Sequence, residues 1–243
     1  MTTSELESRV RLLSRFAIAS SLVSLLLVVS GFAIPARQRF EVIDVERINV
    51  RGSNGQYAVV ISNTQRMPGN VMNRRERKDG PRGAGLLFYN ADGNEAGGLI
   101  FDGARQDTTA SAFGQLSLDR FESDQVAALR YVESTSGWEA GLQVSHYPRH
   151  VLAEWHAARD TIDQLPTAVA RDSALGELRR RFFRQGKWEI KRLFAGERGR
   201  TAVVELRDMN GRERLRLVVD SVGGARLEFL DERGTVVERL PRP

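Results

Sequence analysis

Apolar and polar positions divide this chain into three regimes. The first is "FAIASSLVSLLLVVSGFAIPA", between Arg15 and Arg37, which holds no charged residue. A helix crossing a bilayer takes roughly 20 such residues. The stretch predicts a transmembrane helix over 16–36, preceded by a polar tail over 1–15. Its serines are tolerable there, because a helical hydroxyl bonds back to its own backbone. A cleaved signal peptide is the competing reading. Its apolar stretch is normally shorter and ends small-x-small. Here Ile34 stands two residues before Ala36, so the segment is expected to remain as an anchor.

After Arg39 the period becomes two. In "DVERINVRGSNGQYAVVIS", Ile48 and Val50 lead into Asn54-Gly55, and Val59 and Ile61 follow. Apolar alternation on both sides of a turn dipeptide is the strongest short-range hairpin signal. "GLLFYNADGNEAGGLIF", "VVELRDMNGRERLRLVV" and "LEFLDERGTVVERL" repeat the arrangement. Asn90, Asp208 and Asp231 each stand three residues before a glycine: Gly93, Gly211 and Gly234. Gly52 takes the leading place before Gly55. A type I turn favours Asp or Asn first, whose side chain accepts from the turn backbone, and Gly where the second strand begins. These positions therefore read as structural turns. Weaker strands follow in "GQLSLDRF", "QVAALRYV" and "WEAGLQVS", while 63–85 is polar, basic and without period, and reads as a long surface loop.

The period turns helical at the third regime. "HVLAEWHAARDTIDQL" and "TAVARDSALGELRRRFFRQG" read as two helices, with Gly186 as a stop. The expected fold is mainly β (α+β overall). It has a hairpin-repeat region over 40–145, a helical insert over 146–186, and C-terminal hairpins over 187–243 that complete the same domain. A lone hairpin is marginal in water, so the repeats are expected to bury a shared apolar face. Closure into a barrel-like array would remove the edges. An open curved sheet covered by the helices is the alternative.

The formal charge of +5 permits contact with anionic partners without requiring one. With no cysteine there is no disulfide framework and no thiol chemistry. The three histidines, His146, His150 and His156, lie near the start of the insert, beside Glu154. A divalent metal or a hydrolytic site would need several of them to converge. Their spacing argues against this: His150 and His156 are six apart, and Pro148 interrupts His146 and His150. "NADGNE" and "DMNG" lack the register and the flanking helices of a calcium loop. "GPRGAG" lacks the strand–loop–helix context of a phosphate cradle. No nucleophile elbow is present. No catalytic residue, metal ligand or cofactor is assigned.

Arg74, Arg75, Arg77, Lys78 and Arg82 form a basic run that could touch anionic head groups if the domain stands close to a bilayer. It contains no aromatic, so stacking on nucleic-acid bases is unavailable there, and nucleic acid is not an expected partner. Arg179, Arg180, Arg181 and Arg184 sit at a helix C-terminus, where cations suit the backbone dipole.

"VIDVERINVRGSNGQYAVVISN", "GAGLLFYNADGNEAGGLIFDG" and the C-terminal hairpins resemble a family of uncharacterised bacterial single-pass membrane proteins with repeated Asp-x-x-Gly hairpins. The resemblance implies an anchor and β-repeats, and no activity. The expected function is a membrane-anchored, non-catalytic β-domain, an envelope binding or scaffold module for a protein or polymer. The alternative is a membrane-associated hydrolase or metal-dependent enzyme using the His146/His150/His156 region. Arginines flank the span almost equally on both sides. A short N-terminal tail is expected inside the cytoplasm, with the large domain outside.

Overall fold

The computed structural model describes residues 3–31, 39–72, 75–77, 82–107, 109–149 and 151–242. The chain forms two compact units, Met1–Asp44 and Val45–Pro243.

The first unit carries α1 (Thr3–Gly31). Its 29 residues span about 43 Å at 1.5 Å per residue, more than the ~30 Å of a hydrocarbon core. The helix starts inside the segment read as a tail. Arg11 reaches back one turn to Glu7 at 3.3 Å, a pairing that supports a helix here. Residues 32–36 of the predicted span lie outside the described residues. Among the described residues, one helix is thus long and apolar enough to cross a membrane, a property that N-terminal signal sequences share.

The second unit is built on one antiparallel sheet. Its strands are β1 (Arg47–Arg51), β2 (Tyr57–Ser62), β5 (Ala84–Tyr89), β6 (Glu95–Gln106), β7 (Thr109–Asp119), β8 (Gln125–Ser134) and β9 (Gly137–His146). Then come β10 (Ile190–Arg198), β11 (Thr201–Arg207), β12 (Glu213–Val219), β13 (Ala225–Leu230) and β14 (Val236–Leu240). The short ribbon β3 (Val71–Met72) and β4 (Arg75–Glu76) interrupts the order after β2, and α2 (Val151–Asp163) with α3 (Ala168–Arg184) interrupts it after β9. Each strand after β1 pairs with its nearest predecessor in the sheet, so the sheet is a meander.

The sheet does not close. β1 and β14 are its two edges, which corrects the barrel-like expectation in favour of the open sheet. Arg47 and Arg51 on β1 and Glu238 and Arg239 on β14 put charge on both edges, a device that discourages strand pairing.

Four hairpin turns share one backbone hydrogen bond. The N–H groups of Gly55, Gly93, Gly211 and Gly234 donate to the carbonyls of Gly52, Asn90, Asp208 and Asp231 at 2.9–3.1 Å. Asp231 Oδ1 also accepts from the backbone of Arg233 and Thr235, which holds its carboxyl below the ordinary range. Asp220 and Gly223 form the same turn between β12 and β13, where Asp220 Oδ1 accepts from Val222 and Gly224.

The helices do not lie across the sheet. Val151, Leu178 and Phe182 form their own cluster with Trp155, Leu175 and Trp188. A small cavity of about 90 Å³ separates this cluster from Ser123 and Asp124 in the β7–β8 turn. The segment read as a surface loop is also partly core. Val71 and Met67 pack on Val60, Leu87 and Tyr89, so its apolar members cover part of the sheet.

Candidate functional site

Directly opposed residues of an antiparallel pair project from the same face. Following those pairs from β1 to β14 traces a single row. It runs Ile48, Ile61, Leu86, Leu99, Leu116 and Leu129, then Leu142, Ala195, Val204, Leu217, Leu227 and Leu240. Every strand contributes an apolar residue. At about 4.8 Å between strands the row is roughly 50 Å long.

The repeated turn produces this alignment. Turns beginning at Gly52, Asn90, Arg120, Asp208 and Asp231 all lie at one end of the meander. In each hairpin the residue four before the turn pairs with the residue nine after it: Ile48 with Ile61, Leu86 with Leu99, Leu116 with Leu129, Val204 with Leu217, Leu227 with Leu240. Each also carries a bulge just before the turn, as between Val50 and Arg51 or between Phe88 and Tyr89. One turn and one bulge used repeatedly give one register, and one register lines up the side chains. A slip by one residue in any hairpin would turn that strand's apolar set to the other face. Val50, Val59, Phe88, Leu118, Val144, Leu206 and Phe229 extend the apolar surface in a neighbouring row.

This face is open. Among the described residues, every exposed large apolar side chain at a paired position of the sheet lies on it, Leu129 at 58% and Leu217 at 48% among them. Its charges, Arg105, Glu133, Glu197 and Glu238, stand towards the strand ends and the β14 edge.

The opposite face is closed. Its central row reads Asn49, Val60, Leu87, Gly98, Ser117 and Ala128, then Gln143, Phe194, Glu205, Arg216, Glu228 and Arg239. Val60, Leu87, Phe194 and Glu228 are almost fully buried. The ribbon segment packs on the β2–β5 part of this face. Arginines lie over its β10–β14 part, their guanidinium groups on carboxylates. Arg198 stacks on the Phe194 ring at 4.0 Å and pairs with Glu139 and Glu205. Arg207 meets Glu205 at 2.8 Å. Glu228 receives Arg216, Arg226 and Arg239, the last at 2.6 Å. Burial acts to raise the Glu228 carboxyl, but the bonds from Arg216 and Arg239 prevail and hold it below the ordinary range.

The basic run is divided. Arg74 and Lys78 lie outside the described residues, and Arg75 sits on β4. Arg77 is tied to Asp160 and Asp163 of α2 and to the His156 carbonyl. Arg82 grips Glu95 with two hydrogen bonds at 2.9 and 3.0 Å. Both guanidinium groups therefore hold the fold together internally. His146 ends β9 opposite Ile190, His156 is on α2, and His150 lies outside the described residues. No group of three or more potential metal ligands forms among the described residues.

Carboxylates gather beside the helix pair. Burial, then Asp124 and Glu95, raises the Asp119 carboxyl to about 7. Burial also raises Asp124. Asp119 Oδ1 has no hydrogen-bond partner among the described residues. Of the two, Asp124 lines the small cavity, together with Ser123, Tyr147 and Lys187.

The sequence reading found the alternation in each hairpin but not the row, which exists only across strands. The signal was available in the constant spacing from each turn. No family model, no curated protein and no solved structure matches this chain.

Proposed function

We propose that this chain is a membrane-anchored, non-catalytic binding or scaffold module of the envelope, and that its working surface is the open apolar face of the sheet. In this reading α1 is retained as the anchor and the β-domain stands outside the cytoplasm. The observation that carries the reading is the continuous row from Ile48 to Leu240, apolar on every strand and open to solvent. Monomeric soluble proteins rarely expose contiguous apolar patches beyond about 300–600 Å², and larger ones mark interaction sites. The row holds no acid, base or nucleophile, so its chemistry is desolvation. The resemblance to anchored hairpin-repeat proteins supports the same reading.

The absence of native cysteine makes the test direct, since any introduced thiol is unique. Leu129→Cys and Leu217→Cys on the row are compared with Arg200→Cys on the exposed β10–β11 turn, in native membranes, using a maleimide reagent. A face occupied by a partner protects the first two while Arg200→Cys reacts at once. Equal labelling at all three positions would sink the proposal.

A further inference from the structure

We infer that the occupant of the open face is a second copy of this chain, packed face to face into a two-layer β-sandwich; this rests on the binding reading above. Stable domains put two layers around one core, because a sheet with an apolar face needs something to bury it. Here one layer is complete and the other is missing. The closed face has its cover in the ribbon segment and the arginine stems. The row from Ile48 to Leu240 has none among the described residues.

Size and shape specify what fits. With two-fifths or more of each side chain exposed along much of the row and its neighbours, the open apolar area is on the order of 1,000 Å². A standard interface buries about 800 Å² from each partner, so one such face meets what a stable dimer needs. The row is roughly 50 Å long and crosses every strand. A second copy offers a row of the same length, and an isologous two-fold contact uses the same patch twice. Two sheets packed this way lie about 10 Å apart.

Charge disfavours the bilayer as occupant. The centre of the face is apolar, while Glu133, Glu197 and Glu238 at its margins oppose a single basic residue there, Arg105. An anionic lipid surface attracts the reverse pattern. An apolar centre with a charged rim is the anatomy of a protein–protein interface.

The experiment uses the full chain in native membranes, before any detergent. Leu129→Cys stands near the middle of the row, so in an isologous contact it lies close to its own copy. Copper(II)-phenanthroline is added as oxidant; two facing thiols give up their protons and two electrons to it and join as a disulfide, so no bulky reagent has to enter the packed contact. The expected product is a band at twice the 27.2 kDa chain mass from Leu129→Cys and none from Arg200→Cys. Adding Leu116→Glu and Leu217→Glu, both already exposed and so compatible with folding, should abolish the band while circular dichroism stays unchanged. A protected Leu129→Cys that yields no band overturns the second copy and leaves the binding reading, with lipid or another protein on the face. A Leu129→Cys open to simple maleimide and yielding no band overturns both.

Discussion

Leu129 on β8 faces Leu142 on β9 across the middle of the sheet, and both are open to solvent, at 58% and 44%. One residue earlier, Ala128 projects from the other face and is buried. The two faces of one strand thus differ in cover, not in pattern. Leu87 on the covered face is 1% exposed. Leu87→Ala should therefore cost about 2–5 kcal/mol, as buried leucine truncations do. Leu129→Ala should cost under about 1 kcal/mol in dissociated protein, as surface changes do. Urea unfolding of dilute protein measures both, and similar values would show that the open face is packed within one chain.

The arginine-covered face makes a second contrast. Glu228 is fully buried and holds three guanidinium groups, whereas Arg239 is more than half exposed. Glu228→Gln removes the charge from every one of those bonds and should cost about 1.5–3 kcal/mol. Arg239→Ala leaves two arginines on the carboxylate and should cost about 0–1 kcal/mol. Equal losses would mean that the network is not centred on Glu228. Its lowered carboxyl also fixes the sign with pH: the contribution is present above about 4.5, the ordinary value, and is lost as pH falls through the folded value.

Asp119 has the opposite sign. Burial raises its folded value from 3.8 to about 7, so the protonated form is favoured in the folded chain. The stability it supports is complete below about pH 3.8 and is lost as pH rises through about 7. Asp119→Asn should raise the melting temperature at pH 8.5 by about 2–4 °C for each kcal/mol recovered, and leave it nearly unchanged at pH 4. Asp124 beside it is raised too, so the double variant should gain further. Parallel melting curves across pH for Asp119→Asn and the parent would rule this out.

The turns test the register. Gly234 has φ +81 with nothing near its missing Cβ, so Gly234→Ala isolates backbone conformation from crowding. A left-handed non-glycine residue costs about 1–2 kcal/mol. The same loss is expected for Gly55→Ala, which is equally uncrowded. A Cβ at Gly93 would meet only the flexible end of Gln56, which can swing away, so Gly93→Ala should cost about the same. Thermal unfolding compares the three variants, and a much larger loss at Gly93 than at Gly55 and Gly234 would contradict this.

Much of the fold was legible because its signals are local. The turns at Asn90, Asp208 and Asp231 need only a side-chain acceptor and a left-handed glycine, both visible in four residues. The helices over 151–163 and 168–184 show their period in one stretch of chain. The β7–β8 turn was not legible, because Arg120 leads it and Glu122 rather than glycine takes the positive φ of 51. The ribbon over 71–76 was hidden for a related reason. Val71 and Met67 are apolar residues in a polar context, and only their contact with Val60 and Leu87 gives them a role.

By itself the sequence determined the apolar segment of α1, the hairpins, and a two-sided alternation in each strand, since these depend on residues a few positions apart. Only the tertiary structure decided that the sheet stays open and that the hairpins share one register. It also decided which face is covered. Alternation distinguishes two faces but carries no information about what lies over them. The bland expectation, that the apolar side is inside, fails here because arginines on the same and adjacent strands close the charged face over Glu205 and Glu228. The row from Ile48 to Leu240 is left uncovered among the described residues.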